Sequence, residues 1–172
     1  MAQSKSLVTD KDEFASKFPG LVALLLKDHR AMRRLMEKID SPRATPAQVF
    51  KHFRALEDLV TSHMAAEETA LVNPLKDHPK FENEALESYE EHRIHEHIFA
   101  GIKKLKAKER KLSQMKIYCE MLEHHLKEEE KDLFPKYKAH FALSSRKAAG
   151  EKFLRVRIKT TNPRNHVGAL AR

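Results

Sequence analysis

Residues 115–135 read MKIYCEMLEHHLKEEEKDLFP, and the spacing of their apolar side chains predicts one long amphipathic helix. The stripe that this helix turns inward steps by three or four residues through Met115, Tyr118, Leu122, His125, Glu129 and Leu133. An imidazole and a carboxylate therefore occupy two consecutive positions where apolar residues are expected. Burying such groups without partners costs free energy, so the pattern indicates that something in the core binds them.

The same pattern occurs once more, about sixty residues earlier in the chain. A stripe with identical steps runs through Phe53, Leu56, Val60, His63, Glu67 and Leu71. Each of these two helices thus places a histidine and, four residues later, a glutamate on its inward face. Side chains four residues apart on a helix lie one above the other, so both members of each pair can reach one small object.

Two further histidines complete a repeat of the chain's first half in its second half. Asp28-His29-Arg30 and Glu91-His92-Arg93 are each followed by apolar residues at matching offsets. His29 precedes His63 by 34 residues, and His92 precedes His125 by 33. This near-equal spacing predicts a pseudo-twofold arrangement in which equivalent side chains from both halves converge.

The fold class predicted from the whole sequence is all-α. Strong helix formers dominate, and only four Gly interrupt the chain. Prolines and turn residues delimit four helical segments, at about 21–39, 46–72, 82–106 and 113–134, with Thr45 as a cap and Pro46 in the first turn of the second. We expect an up-down-up-down four-helix bundle over residues 20–141, preceded by an N-terminal extension, 1–19, and followed by a basic helix or tail, 142–172.

Composition excludes several other classes of protein. The single cysteine, Cys119, cannot form an internal disulfide, and the apolar run at 21–26 is far shorter than the roughly 20 residues of a membrane span. The first residues have no apolar core of the kind found in signal peptides, so we expect a cytoplasmic protein. There is no P-loop and no G-x-G-x-x-G motif, which removes support for nucleotide binding.

The basic residues are concentrated at the end of the chain. Residues 144–172 contain eight Lys or Arg and one Glu, so they carry +7 of the formal charge of +8. A nucleic-acid-binding surface, if the protein has one, therefore belongs to this tail. The tail fits a helix with Ala149, Phe153 and Val156 inward, although Leu154, Val156 and Ile158 alternate with basic residues as in a strand. We favour the helix and expect residues 160–172 to be disordered.

The inward polar residues of the four helices predict a metal site. Its six candidate ligands are His29, His63, Glu67, His92, His125 and Glu129. Imidazole and carboxylate donors suit iron, manganese or zinc, and six donors are too many for one tetrahedral zinc but fit two ions. The two glutamates would bridge the ions. The E-x-x-H pairs of ferritin-like bundles are absent.

Three choices within this site stay open at the level of sequence. His124 and Glu128 form an alternative pair one residue away from His125 and Glu129, although the stripe favours the latter. His95 is a candidate for a fifth imidazole. Asp28 and Glu91, beside their histidines, could orient imidazoles but are expected to face solvent, and Glu68 and Glu130 are expected at the surface.

These motifs resemble the haemerythrin-like (HHE cation-binding) domain family. The resemblance covers about residues 21–135 and rests on Asp28-His29, on His63-Met-Ala-Ala-Glu67-Glu68, on Glu91-His92-Arg93, and on the segment from His125 to Pro135. It implies a four-helix bundle with a non-haem di-iron centre that binds O2 or related small molecules such as NO or peroxide. Such a protein acts as a sensor, as a store of iron or oxygen, or as a redox protein.

Two residues depart from the family's oxygen carriers, and other functions remain open. Position 96, where those carriers have a second histidine in the third helix, is Glu, and Pro74 follows its motif one residue later than Pro135 does. An enzyme that reduces NO or peroxide would use the same ligands, with Tyr89, Tyr118 or His95 as its candidate proton donors. The alternative is an interaction or nucleic-acid-binding module that uses the basic tail and holds a structural metal.

Overall fold

A computed structural model describes residues 20–161, and these form an antiparallel four-helix bundle with a fifth helix packed on it. The bundle helices are α1 (Leu21–Asp40), α2 (Pro46–Glu67), α4 (Glu82–Lys104) and α5 (Lys108–Glu128), with the C-terminal helix α7 (Leu143–Thr161). The residues described contain no strand. The predicted all-α bundle is confirmed.

Helices α2 and α5 both continue past their last α-helical turn through a short π-helix. The segment π1 (Glu68–Val72) leads into α3 (Asn73–Lys76), and π2 (Glu129–Leu133) leads into α6 (Phe134–His140). In π1 the Asn73 N–H donates to the Glu68 carbonyl, and in π2 the Phe134 N–H donates to the Glu129 carbonyl. A widened turn of this kind often marks a functional site in a helix.

A proline follows each of these widened turns and supplies the physical reason for them. Pro74 and Pro135 have no N–H to donate, and in a regular α-helix their rings would contact the carbonyl four residues back. Each proline lies six residues after the first residue of its π segment, which is Glu68 in π1 and Glu129 in π2. Glu67 and Glu129 are equivalent in the two motifs, but π1 begins one residue after Glu67 whereas π2 begins at Glu129. Pro74 therefore follows its motif one residue later than Pro135 does.

The helix boundaries agree with the sequence at most ends. Thr45 caps α2 through a reciprocal pair of hydrogen bonds with Gln48, and Pro46 stands in the first turn, as predicted. The fourth bundle helix begins at Lys108, five residues before the predicted start. The break before it is an extended stretch at 105–107, and no Gly or Pro marks this break in the sequence.

Two apolar layers fill the bundle, one toward each end of α1. One layer contains Leu21, Leu25, Leu71, Phe81 and Phe134, and the other contains Met32, Phe53, Leu56, Phe99 and Leu122. His29, which is fully buried, lies on α1 between the residues of these two layers. The polar centre is therefore enclosed by hydrocarbon along the bundle axis.

Helix α7 packs against α1 and α2, and its packing corrects one prediction about the tail. Phe153 is 2% exposed and joins the first apolar layer, with Ala149 and Val156 partly buried beside it, as the helical interpretation predicted. Thr160 and Thr161 are still helical, so the predicted onset of disorder at residue 160 was wrong. Helix α7 continues because its apolar face and Arg157 bind the bundle. Residues 1–19 and 162–172 lie outside the described residues.

Replacing Phe153 by Ala tests whether α7 is part of the folded domain. Removing a buried aromatic ring leaves a cavity, and the expected loss in free energy of unfolding is about 3–5 kcal/mol. Lys152→Ala is the matched control, because Lys152 is exposed and the same helix should lose less than about 0.5 kcal/mol. Denaturant unfolding measures both, and equal stability of the two variants would contradict the packing described.

Candidate metal centre

All six predicted ligands lie in the interior of the bundle. His29 is on α1, His63 and Glu67 end α2, and His92 lies on α4, whereas His125 and Glu129 lie where α5 meets π2. None is more than 4% exposed. The four helices thus bring together four imidazoles and two carboxylates in a space that water barely reaches.

The imidazole Nε2 atoms and the two carboxylates face one another. His29 Nε2 lies 3.4 Å from Glu129 Oε2, and His125 Nε2 lies 3.6 Å from Glu129 Oε1. Glu67 Oε2 lies 3.2 Å from His63 Nε2 and 3.8 Å from His92 Nε2. Each carboxylate therefore contacts one imidazole from each half of the chain.

These facing atoms have no hydrogen-bond partner of good geometry. The four Nε2 atoms and all four oxygens of the two glutamates are buried and unpartnered. Buried polar atoms are normally hydrogen-bonded, so eight unpartnered atoms at one point need a ligand that the protein does not supply. A metal bound to these atoms would satisfy all of them at once.

The other ring nitrogen of each histidine, Nδ1, is held by a carboxylate from a different helix. His63 Nδ1 lies 3.2 Å from Asp28, and His125 Nδ1 lies 2.6 Å from Glu91. His29 Nδ1 lies 2.9 Å from Glu130, and His92 Nδ1 lies 3.1 Å from Glu68. A carboxylate on Nδ1 fixes the ring and leaves Nε2 as the free donor atom, which is the usual support of a metal-bound histidine.

This pairing follows the pseudo-twofold relation of the two halves and corrects the sequence interpretation. Asp28 and Glu91 support the histidines of α2 and α5, not the histidines beside them, and each is hydrogen-bonded to an imidazole although Glu91 stays 30% exposed. Glu68 and Glu130, expected at the surface, directly follow Glu67 and Glu129 and support His92 and His29. The repeated Glu-Glu step after each H-x-x-x-E motif was the sequence signal for this role.

Three of these four carboxylates also bind an arginine. Arg33 Nη1 donates to Glu130 at 2.8 Å, Arg157 Nε donates to Asp28 at 2.7 Å, and Arg93 donates to Glu68. Glu91 accepts from His125 and has no arginine or lysine within ion-pair distance in the part of the chain described. The supporting carboxylate is therefore paired with an arginine at His29, His63 and His92, but not at His125.

The alternative residues considered at the sequence level lie elsewhere. His124 and Glu128 pair with each other at 3.2 Å but are 73% and 51% exposed, on the outer face of α5. His95 is 3% exposed, its Nδ1 is unpartnered, and its ring packs against His125 and Tyr118. Two groups of side chains have donor atoms close enough to share an ion, and they are His29, His63 and Glu129, and His92, His125 and Glu129. Neither group contains His95 or Glu67, but Glu67 has an oxygen 3.2 Å from His63 Nε2.

The ionisation of the metal-free centre follows from its carboxylates. Burial opposes protonation of His63 and His125, but the neighbouring carboxylates outweigh it and raise the pKa of each to about 9. Burial likewise opposes ionisation of Glu129, yet His125 and His29 hold its pKa well below the usual range. Burial also opposes ionisation of Asp28, but hydrogen bonds from His63 and Arg157, and their charges, lower its pKa to about 2. In the metal-free centre, protons on the histidines therefore balance the negative charge of the carboxylates.

A family model matches the sequence of this bundle and shows which family the domain belongs to. The model for the hemerythrin HHE cation binding domain matches residues 20–142, which is most of the chain. The chain belongs to the hemerythrin HHE cation-binding family. No curated protein and no solved structure matches it with significance. Within the described part of this HHE domain, no helix is both long and apolar enough to cross a bilayer.

Metal binding to this HHE domain should release protons. His63 and His125, with pKa values of about 9, are protonated at pH 7 without metal, whereas a metal accepts only neutral imidazole. We expect about two protons released per chain at pH 7, falling toward zero above about pH 9. Calorimetric titrations in two buffers of different ionisation enthalpy measure this number.

The same raised pKa values also make the stability of the metal-free protein depend on pH. They stabilise the folded chain below about pH 6.5, the ordinary histidine value, and this stabilisation is lost as pH rises through about 9. Proton release near zero at pH 7 would contradict the charge state described.

Proposed function

We propose that this HHE domain is a non-haem di-iron protein that binds O2 or related small molecules, NO or peroxide. The observation that supports it best is the set of eight buried, unpartnered donor atoms on His29, His63, Glu67, His92, His125 and Glu129. In the described core, no other side chain is placed to form a hydrogen bond with these atoms. The protein acts as a sensor, a store of iron or oxygen, or a redox protein.

The donor atoms divide into two sets that share a carboxylate. One set comprises His29, His63 and Glu129, and the other comprises His92, His125 and Glu129. Because Oε2 of Glu129 faces the first set and Oε1 faces the second, this side chain is suited to bridge two ions. Glu67, which lies near His63 and His92, would be the second bridge.

The chemistry of the donors favours iron, manganese or zinc over calcium and magnesium, and the chain's family favours iron among these three. Imidazole with carboxylate suits iron, manganese and zinc, whereas calcium and magnesium prefer oxygen alone. With two imidazoles and two shared carboxylates each, two ions would have fewer than six protein donors apiece. Iron in such a site supplies open coordination positions for a small exogenous ligand and can change oxidation state.

The protein's own residues would orient the donors and exclude water. Each supporting carboxylate accepts a hydrogen bond from Nδ1–H and thereby makes Nε2 a better ligand for a metal. The apolar layers on both sides keep bulk water from the centre, with Phe134 stacked obliquely 5.5 Å from the His29 ring and Phe153 edge-on 5.8 Å from the His63 ring. A small uncharged molecule can enter such surroundings at lower cost than a hydrated ion.

Replacing both bridging carboxylates tests the proposal. Glu67→Gln together with Glu129→Gln preserves side-chain volume but removes both charges, so iron per chain should fall from about two to less than half an atom. The matched control is His124→Ala with Glu128→Ala, which removes the exposed pair of the same spacing and should leave iron content unchanged. Elemental analysis on protein purified without chelator gives the metal content, and circular dichroism checks the fold.

The outcomes separate the site from its alternative. Full iron content in the glutamate variant would show that the assignment of the ligands is wrong. Loss of iron in the control variant alone would move the site to the outer face of α5. Exposure of the iron-loaded wild type to NO then tests the ligand, because binding at open iron positions changes its visible absorption.

A further inference from the structure

The four histidines of the centre differ in what surrounds their supporting carboxylates. Three of these carboxylates accept a hydrogen bond from an arginine, since Arg33 binds Glu130, Arg93 binds Glu68 and Arg157 binds Asp28. Only at Glu91 does the described structure place no arginine against the supporting carboxylate. The charge of Glu130, Glu68 and Asp28 is thus balanced in part by an arginine, whereas Glu91, which is 30% exposed, lacks this compensation.

A cleft opens to the surface on this fourth side. We name it the acidic cleft. It is a cavity of about 110 Å³ between α4 and π2, and its lining residues are Glu84, Glu87, Ser88, Glu91, Glu128, Glu129, Asp132 and Leu133. Six of these eight residues carry a carboxylate. This concentration stands out because residues 1–143 as a whole are nearly neutral, with a formal charge of 8 − 7 = +1.

The outer carboxylates of the acidic cleft differ in how far they are neutralised. Lys136 donates to Glu84 at 2.7 Å, and His124 pairs with Glu128. Glu87 and Asp132 are exposed and have no ion-pair partner in the part of the chain described. The cleft therefore keeps a net negative charge at its mouth, which would attract cations.

Unpartnered buried atoms line the inner end of the same cleft. Ser88 is 5% exposed and its hydroxyl has no hydrogen-bond partner. Glu129 is 4% exposed, both of its oxygens are unpartnered, and it belongs to both candidate ion-binding groups. The cleft thus connects surface carboxylates to a residue of the metal centre through oxygen atoms that are free to bind a ligand.

We propose that the acidic cleft is the uptake route by which divalent iron reaches the centre. This inference rests on the proposed di-iron function. Glu87 and Asp132 attract the hydrated cation, Glu91 and the Ser88 hydroxyl offer oxygen donors within the cleft, and Glu129 receives it at the inner end. Oxygen donors suit a divalent cation that still carries water, whereas the imidazoles bind it after that water is lost.

The charge of the cleft also indicates which molecules it favours. Carboxylates raise the local concentration of a cation but exert no such attraction on an uncharged diatomic molecule, and they repel anions. The route therefore serves the loading of metal, not the arrival of the small ligand. Uptake through the cleft should depend on ionic strength, because salt screens exposed charges.

The test is the rate at which metal-free protein takes up Co²⁺, whose visible absorption reports binding to imidazole and carboxylate. In the variant Glu87→Gln with Asp132→Asn, we expect uptake at low ionic strength to be about tenfold slower than in the wild type, with the difference disappearing at high salt. The final amount of Co²⁺ bound should be unchanged, since neither residue belongs to the centre.

The matched control is Glu37→Gln with Asp40→Asn. These two residues are also exposed acids, and they line a different cleft between α1 and α5. The control changes the net charge by the same amount and should take up Co²⁺ at the wild-type rate. Slower uptake in both variants would mean that overall charge, not the acidic cleft, sets the rate.

A second variant tests the inner end of the cleft by making it narrower. Ser88→Val replaces the unpartnered hydroxyl by a larger apolar group and should slow uptake at every ionic strength without lowering the amount bound. Wild-type rates in both the Glu87/Asp132 and the Ser88 variants would overturn the proposed route. If the wild type itself binds neither Co²⁺ nor iron, the proposed di-iron function fails, and the two failures are thereby distinguished.

Discussion

The hydrogen bond between each histidine Nδ1 and a carboxylate from another helix is the interaction on which this structure depends. Asp28 joins α1 to α2, Glu91 joins α4 to α5, and Glu130 and Glu68 join the π segments to α1 and α4. Without these bonds the imidazoles could rotate, and the Nε2 atoms would no longer converge. The same contacts fix both the geometry of the centre and the register of the helices.

Two copies of one helical pair build the centre, and the prolines help to form it. Each copy supplies an H-x-x-x-E pair, a histidine from the preceding helix and a widened turn ahead of a proline. The copies differ where α7 packs, because Arg157 and Phe153 cover the side of Asp28 and His63. The corresponding side at Glu91 and His125 borders the acidic cleft and a second cleft, which is lined by Ile94, His95 and Met121, so α7 covers only one half of the pseudo-twofold centre.

The sequence predicted the fold, and the inward-facing histidines and glutamates, because both depend on periodicity. A buried stripe in which His63 and Glu67 replace apolar residues can be recognised without coordinates, and so can its repeat at His125 and Glu129. The roles of Glu68 and Glu130 could not be recognised in this way. They depend on which helix lies across the bundle, and adjacent residues on one helix point in directions about 100° apart.

Two other differences from the sequence prediction also have identifiable causes. The start of α5 at Lys108 escaped prediction since no glycine or proline marks the break before it. Helix α7 extends through Thr161 because Arg157 binds both Asp28 and Ser62, contacts between residues far apart in sequence. Long-range pairs of this kind leave no periodic signal, whereas an apolar stripe does.

The proposed di-iron centre places two iron ions between the four imidazoles, with two shared carboxylates. Anomalous X-ray diffraction from crystals of the iron-loaded protein, collected on both sides of the iron absorption edge, locates these ions. We expect two iron peaks roughly 3.5–4 Å apart, one beside His29 and His63 and the other beside His92 and His125, with Glu129 between them. A single peak, or iron bound at His124 and Glu128 on the outer face, would contradict this proposal.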